Sequence, residues 1–260
     1  EAPHPPMEAP KALEDKWLAR DLDLPPNFFH DGDYVPGPTG AWSKAASDEQ
    51  RDAVIRNRKI YYAMVENLDQ NVGKLRDFLD EQGLADNTIV MFLSDHGELG
   101  GAHRLQGKQY PYEESCGIPL IVGGGGLPRG RVIDEPTNTD DLFPTILGLC
   151  GLSPRDALPG KNLAPLIQGD TDSADRHGVM LEFVRELRQN VAFYHNVYRG
   201  WRSRRYKYTV MGMMDGLKPW QFFDLDNDPY EMNNLIDDPA CAELIREHHS
   251  QLRQHMIDTE

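Results

Sequence analysis

Basic charge is scarce in this chain: 27 Lys+Arg stand against 42 Asp+Glu in 260 residues, a formal charge of −15. That balance argues against bulk binding to nucleic acid or an anionic lipid surface, both of which need a broad basic face. Long hydrophobic runs are also missing. None approaches the ~20 apolar residues that span a bilayer, so no membrane insertion is expected. Only three cysteines occur, Cys116, Cys150 and Cys241, with no C-x-x-C pair. This excludes a disulfide framework, and the apolar neighbours of Cys116 and Cys150 read as surroundings of small buried hydrophobes. No basic end followed by an apolar stretch opens the chain, and its first residue is Glu1, so a start within a longer protein is expected. What is present, 39% apolar and 9% aromatic residues, suffices for a real core.

Residues 1–46 are rich in proline and lack periodicity, which predicts an extended surface segment. Ser47-x-x-Gln50 is a capping box, and Val54, Tyr61, Met64, Leu68, Val72, Leu75 and Leu79 follow at helical spacing up to a stop near Gly83. Residues 88–93 (TIVMFL) form a continuous apolar run, the pattern of a strand buried on both faces in a parallel sheet. A second short strand is expected at 119–122 (PLIV), before Gly123–Gly126, and a helix capped by Thr139 carries Leu142, Ile146 and Leu149. The fold class read from this order is α/β, a mostly parallel core sheet flanked by helices over 47–175. Beyond it, 176–260 reads as a small antiparallel α+β subdomain, with strands near 179–183, 205–210 and 221–225 and a final polar helix over about 239–258.

The 88–93 strand runs directly into Ser94-Asp95-His96-Gly97-Glu98. Ligands of open α/β sheets sit beyond the carboxyl ends of strands, and Gly97 permits a turn that lets both neighbours reach one ion. A carboxylate beside an imidazole suits a divalent cation, so Asp95 and His96 are candidate metal ligands, against the plainer reading of a polar turn. Gly100-Gly101-Ala102-His103-Arg104 and Gly107-Lys108 follow, then Tyr112-Glu113-Glu114-Ser115.

The stretch from Asn87 to Val122 resembles the sulfatases of the alkaline phosphatase superfamily. The likeness continues through Thr139–Leu149, Pro159–Leu163, Arg205-Tyr206-Lys207-Tyr208 and the run from Phe223 to Leu235. It implies an alkaline phosphatase-like fold and a sulfuric ester hydrolase acting on a sulfated small molecule or saccharide, in the periplasm or outside the cell. It also implies a divalent ion on Asp95 and His96, with Ca²⁺ favoured and Mg²⁺ or Mn²⁺ as alternatives. Lys108 matches the lysine that contacts the sulfate. His103 either donates to the substrate or anchors its loop.

The family's nucleophile is a formylglycine made from Cys or Ser inside Cys-x-Pro-x-Arg or a close variant. No cysteine or serine here begins such a pentapeptide, so the chain is expected to be the C-terminal part of the protein, inactive alone, with the formylglycine in a missing N-terminal part. Two alternatives stay open: a phosphate or phosphonate ester hydrolase of the same superfamily, and a non-catalytic fragment that binds metal and polyanion. The two-metal class is disfavoured, because no histidine has an Asp four residues before it. Finally, Arg185, Arg188, Arg199, Arg202, Arg204, Arg205 and Lys207 face one acid, Glu186, within their segment, with Tyr194, Tyr198, Trp201 and Tyr206 interleaved. Arg202 and Arg204 are therefore candidate substrate-binding residues on a rim for polyanions, at even odds with a hairpin whose arginines pair with nearby acids.

Overall fold

The computed structural model describes residues 2–30, 47–184, 197–212 and 216–259, so Pro36, Pro38, Arg185, Glu186, Arg188 and Tyr194 lie outside the described residues. Helix α1 (Lys11–Leu18) interrupts the segment expected to be extended. Pro10 sits at its N-cap, where no donor is needed, and the eight residues that follow contain no proline. Trp17 fixes the helix by donating to Glu66 at 2.7 Å and packing on Tyr62 of α2 (Asp48–Glu81). The capping box that starts α2 is formed: Gln50 N–H donates to Ser47 Oγ at 3.3 Å and Ser47 N–H to Gln50 Oε1 at 2.9 Å. Gly83, at φ +64, follows its C-cap.

Strands β1 (Ile89–Leu93) and β2 (Leu120–Gly124) pair antiparallel, Ile89 opposite Gly124 and Leu93 opposite Leu120. For these two strands the direction differs from the parallel arrangement expected of the core sheet. An apolar run reports burial and not direction, and the 94–119 connection folds back on itself, with only the single-turn helix α3 (Glu113–Cys116), in place of a crossover helix. Both strands are also only partly covered. Ile121 is 62% exposed, and Phe143 and Ile146 of α4 (Leu142–Leu149) and Leu75 and Phe78 of α2 face outward too. Cys150, expected to be buried, is exposed beside them. The short helix α5 (Ala164–Gln168) packs against α4.

The rest is an antiparallel meander, β3 (Gly178–Phe183), β4 (Tyr198–Ser203), β5 (Tyr206–Met211) and β6 (Lys218–Asp224), with α6 (Ala242–Thr259) across one face. Side chains alternate along these strands. Trp201, Tyr208, Val210 and Phe222 meet Leu252 and Met256 of α6. The opposite face turns Phe223 toward Leu99, Leu105, Tyr110 and Tyr112 of the 94–119 connection. The C-terminal sheet is thus the floor beneath the segment that follows β1. This mixed helix-and-sheet architecture with an antiparallel C-terminal sheet is the fold class expected, apart from the β1–β2 pairing.

Candidate metal and anion site

Asp95 and His96 leave the end of β1 side by side. His96 Nδ1–H donates to the Gly97 carbonyl at 2.8 Å, which places the ring proton on Nδ1 and leaves the Nε2 lone pair free to ligate. Nε2 lies 3.4 Å from Asp95 Oδ2. Adjacent donors around an ion with bonds of 2.1–2.4 Å stand about 3.0–3.4 Å apart, so the gap suits one divalent cation. Burial works against ionisation of Asp95, but His96, its backbone N–H and the Lys108 ammonium together lower the Asp95 pKa. Among the described residues no group of three or more His, Cys, Asp or Glu side chains forms a metal site, so the remaining ligands of such an ion would be water and groups outside them.

Glu98, to which the sequence attached no role, builds the loop between the Asp95–His96 pair and Lys108. Its Oε1 accepts the N–H groups of Gly100 at 3.2 Å and of Gly107 at 2.7 Å. Leu99 N–H closes the same loop on Gly107 O at 2.8 Å. A carboxylate followed by glycines two and nine residues on was the available signal. Gly97 is required for another reason: its N–H donates to Ser115 O at 2.8 Å, and a Cβ there would lie 2.0 Å from Glu114 O.

The side chain of His103 sits where the loop-anchoring alternative would place it. It is fully buried, stacked on Tyr112 at 3.8 Å, and its Nε2 accepts from Asn27 Nδ2 at 3.0 Å while Nδ1 meets His30 Nδ1 at 3.2 Å. Its ring thus clasps the 27–30 stretch to the site loop, helped by Arg104, which donates to Phe29 O at 3.3 Å. Burial, with lesser contributions from His30 and Lys207, pushes the His103 pKa down to about 3. The unfolded chain takes up this proton near pH 6.5 and the folded chain only near 3, so stability is expected to fall as pH drops through that window. Urea midpoints measured between pH 7 and 4 test this; His103→Gln should flatten the slope.

Arg202 and Arg204 are not free anion receptors. Arg202 pairs with Glu113 at 3.3 Å, and Arg204 with Asp134 at 2.9 Å. Arg199 pairs with Glu182, Arg205 with Asp224, and Lys207 with Glu113 and Glu231. All of these acids lie outside 185–207, from Glu113 and Asp134 well before it to Glu182 at its edge and Asp224 and Glu231 after it, so a count confined to that segment could not include them. The interleaved Trp201 and Tyr198 are buried, not stacking platforms. A cleft of about 250 Å³ runs past Arg202, Arg204, Leu93 and Ile118, but Asp95, His96 and Lys108 do not line it. Cys116, whose thiol burial pushes up to about 11, sits at that cleft as an inert group.

The family model described as Sulfatase matches residues 3–152, and the one described as N-sulphoglucosamine sulphohydrolase, C-terminal, matches 101–258. An ulvan-active sulfatase of Formosa agariphila is 33% identical over 205 residues, covering 76% of this chain and 38% of that protein. A choline-sulfatase of Rhizobium meliloti is 32% identical over 197 residues, covering 74% and 35%. The crystal structure of a phosphonate monoester hydrolase of Agrobacterium radiobacter superposes with a TM-score of 0.81 at 25% identity, over 100% of this chain and 56% of that one. The chain thus spans about a third to just over half the length of these three proteins.

Proposed function

This chain belongs to the sulfatase family of the alkaline phosphatase superfamily, and from that membership we propose that it supplies the metal- and oxyanion-binding portion of a sulfuric ester hydrolase. The observation that carries the reading is the pair at the end of β1, the Asp95 carboxylate with the Nε2 of His96 3.4 Å away, followed by Lys108 on the loop that Glu98 clamps at Gly107. Asp95 and His96 would hold a divalent ion, Ca²⁺ by family resemblance, with Mg²⁺ and Mn²⁺ also suited to the pair. The bound ion would polarise a sulfate oxygen. Lys108 would meet another oxygen of the sulfate, where charge gathers as the ester bond breaks. Glu98 and the Leu99–Gly107 bond fix the loop from which Lys108 reaches.

The nucleophile, a formylglycine by resemblance, is placed outside these residues. None of Cys116, Cys150 and Cys241 begins the required pentapeptide, and the half-buried Cys116 has its thiol pKa pushed up to about 11. The exposed apolar side chains of β2 and α4 support a further stretch of polypeptide packed beside them. The names of the ulvan-active and choline sulfatases favour a sulfated saccharide or small molecule as substrate. A second reading, phosphonate ester hydrolysis, draws on the superposition with the phosphonate monoester hydrolase, since the two tetrahedral groups differ little in shape.

Asp95→Ala is expected to abolish divalent-ion retention by the complete protein. Elemental analysis after gel filtration reads it, and an unaltered metal content would overturn the assignment.

A further inference from the structure

Lys207 on β5 is fully buried, as is Glu231 in the turn after β6. The ammonium touches Glu231 Oε1 and lies 3.2 Å from Glu113 Oε1 at the start of α3. Glu231 Oε2 in turn accepts the Glu113 N–H at 2.6 Å, so Glu113 is held by both its side chain and its backbone. Arg202 adds two donors to Glu113 at 3.3 Å. One residue earlier, Tyr112 Oη accepts from Gln221 Nε2 at 3.2 Å, and Gln221 Oε1 accepts from Thr209 Oγ1 at 3.1 Å. A polar row on the sheet floor therefore grips a single short turn.

The other side of that turn carries the metal pair. Gly97 N–H donates to Ser115 O at 2.8 Å, and the two backbones approach so closely that no side chain fits between them. A buried ion pair is weak evidence for stability, because desolvation offsets most of the attraction. Its directional contacts instead select one arrangement among several packings of similar energy.

We propose that Lys207 is a positioning residue for the metal pair: by holding Glu113 it fixes α3 against Gly97, and so sets where Asp95 and His96 stand. The proposal rests on the reading of that pair as ion ligands. Charge states agree with it. Burial opposes ionisation of Glu113, yet Lys207 and Arg202 bring its pKa down to about 2. Burial likewise opposes the charge on Lys207, and Glu231 and Glu113 overcome it.

The test uses Lys207→Met/Glu231→Gln, which replaces the buried pair by neutral groups of similar size. Hydrogen exchange followed by NMR should show the Gly97 amide exchanging at least roughly tenfold faster while α6 amides stay within twofold, since a local release leaves global opening unchanged. Mn²⁺ titration should show affinity weakened about tenfold, the lower end for loss of an outer-shell support. A folded variant whose Gly97 amide exchanges within twofold of the parent overturns the proposal, as does acceleration of Gly97 and α6 amides alike. A parent protein that binds no Mn²⁺ overturns the metal reading instead, and the Gly97 amide still decides the brace. If the double variant does not fold, Glu113→Gln, which leaves the Lys207–Glu231 contact in place, carries the same test with the same thresholds.

Discussion

Lys108→Ala in the complete protein is expected to lower kcat/KM for the proposed sulfate-ester hydrolysis by roughly 10²-fold or more, the usual cost of losing one donor aimed at developing negative charge. The size follows from preorganisation. Glu98 clamps Gly107, the residue before Lys108, at 2.7 Å, and Gly107 takes φ +76 to turn the chain. Lys108→Arg keeps the charge in a planar fork of different reach and should recover only part of the loss. Steady-state kinetics on an aryl sulfate decide the matter. A loss below about threefold for the alanine variant would reduce Lys108 to a surface lysine.

The second large effect is on folding. Lys207→Met alone should cost roughly 3–5 kcal/mol, the range for removing one partner of a buried ion pair. Glu231 is fully buried and would face Glu113 with no ammonium between them, leaving only Arg202 on the Glu113 side. Urea unfolding followed by tryptophan fluorescence measures the loss. Adding Glu231→Gln should restore much of it, because two neutral groups carry less desolvation penalty than one unpaired carboxylate. A single variant as stable as the parent would overturn the reading of Lys207 and Glu231 as a charged pair.

Local signals in the sequence foretold what local physics controls. The Ser47–Gln50 box and the apolar spacing after it give α2, and TIVMFL gives β1, which ends just before Ser94-Asp95-His96. Features set by distant partners were not legible. The direction of β1–β2 pairing depends on how 94–119 folds. Strand β4 was hidden because its arginines, which bury their stems and pair with remote acids, mask the alternation expected of a strand. His103 looked equally able to face substrate or protein, and only Asn27 and His30, more than seventy positions away, decide it. Helix α1 was lost among flanking prolines, since its support comes from Glu66 and Tyr62.

The bare strand pair has a consequence for anyone handling this polypeptide by itself. Among the described residues β1 and β2 pair only with each other, so each keeps one ladder edge unmatched, flanked by the outward-facing Leu93 and Ile121. Such an edge is a template for another copy, which makes precipitation the main hazard of expression. The net charge of −15 opposes it through repulsion between molecules, so low-salt, mildly alkaline buffers should keep the material dispersed where high salt would not.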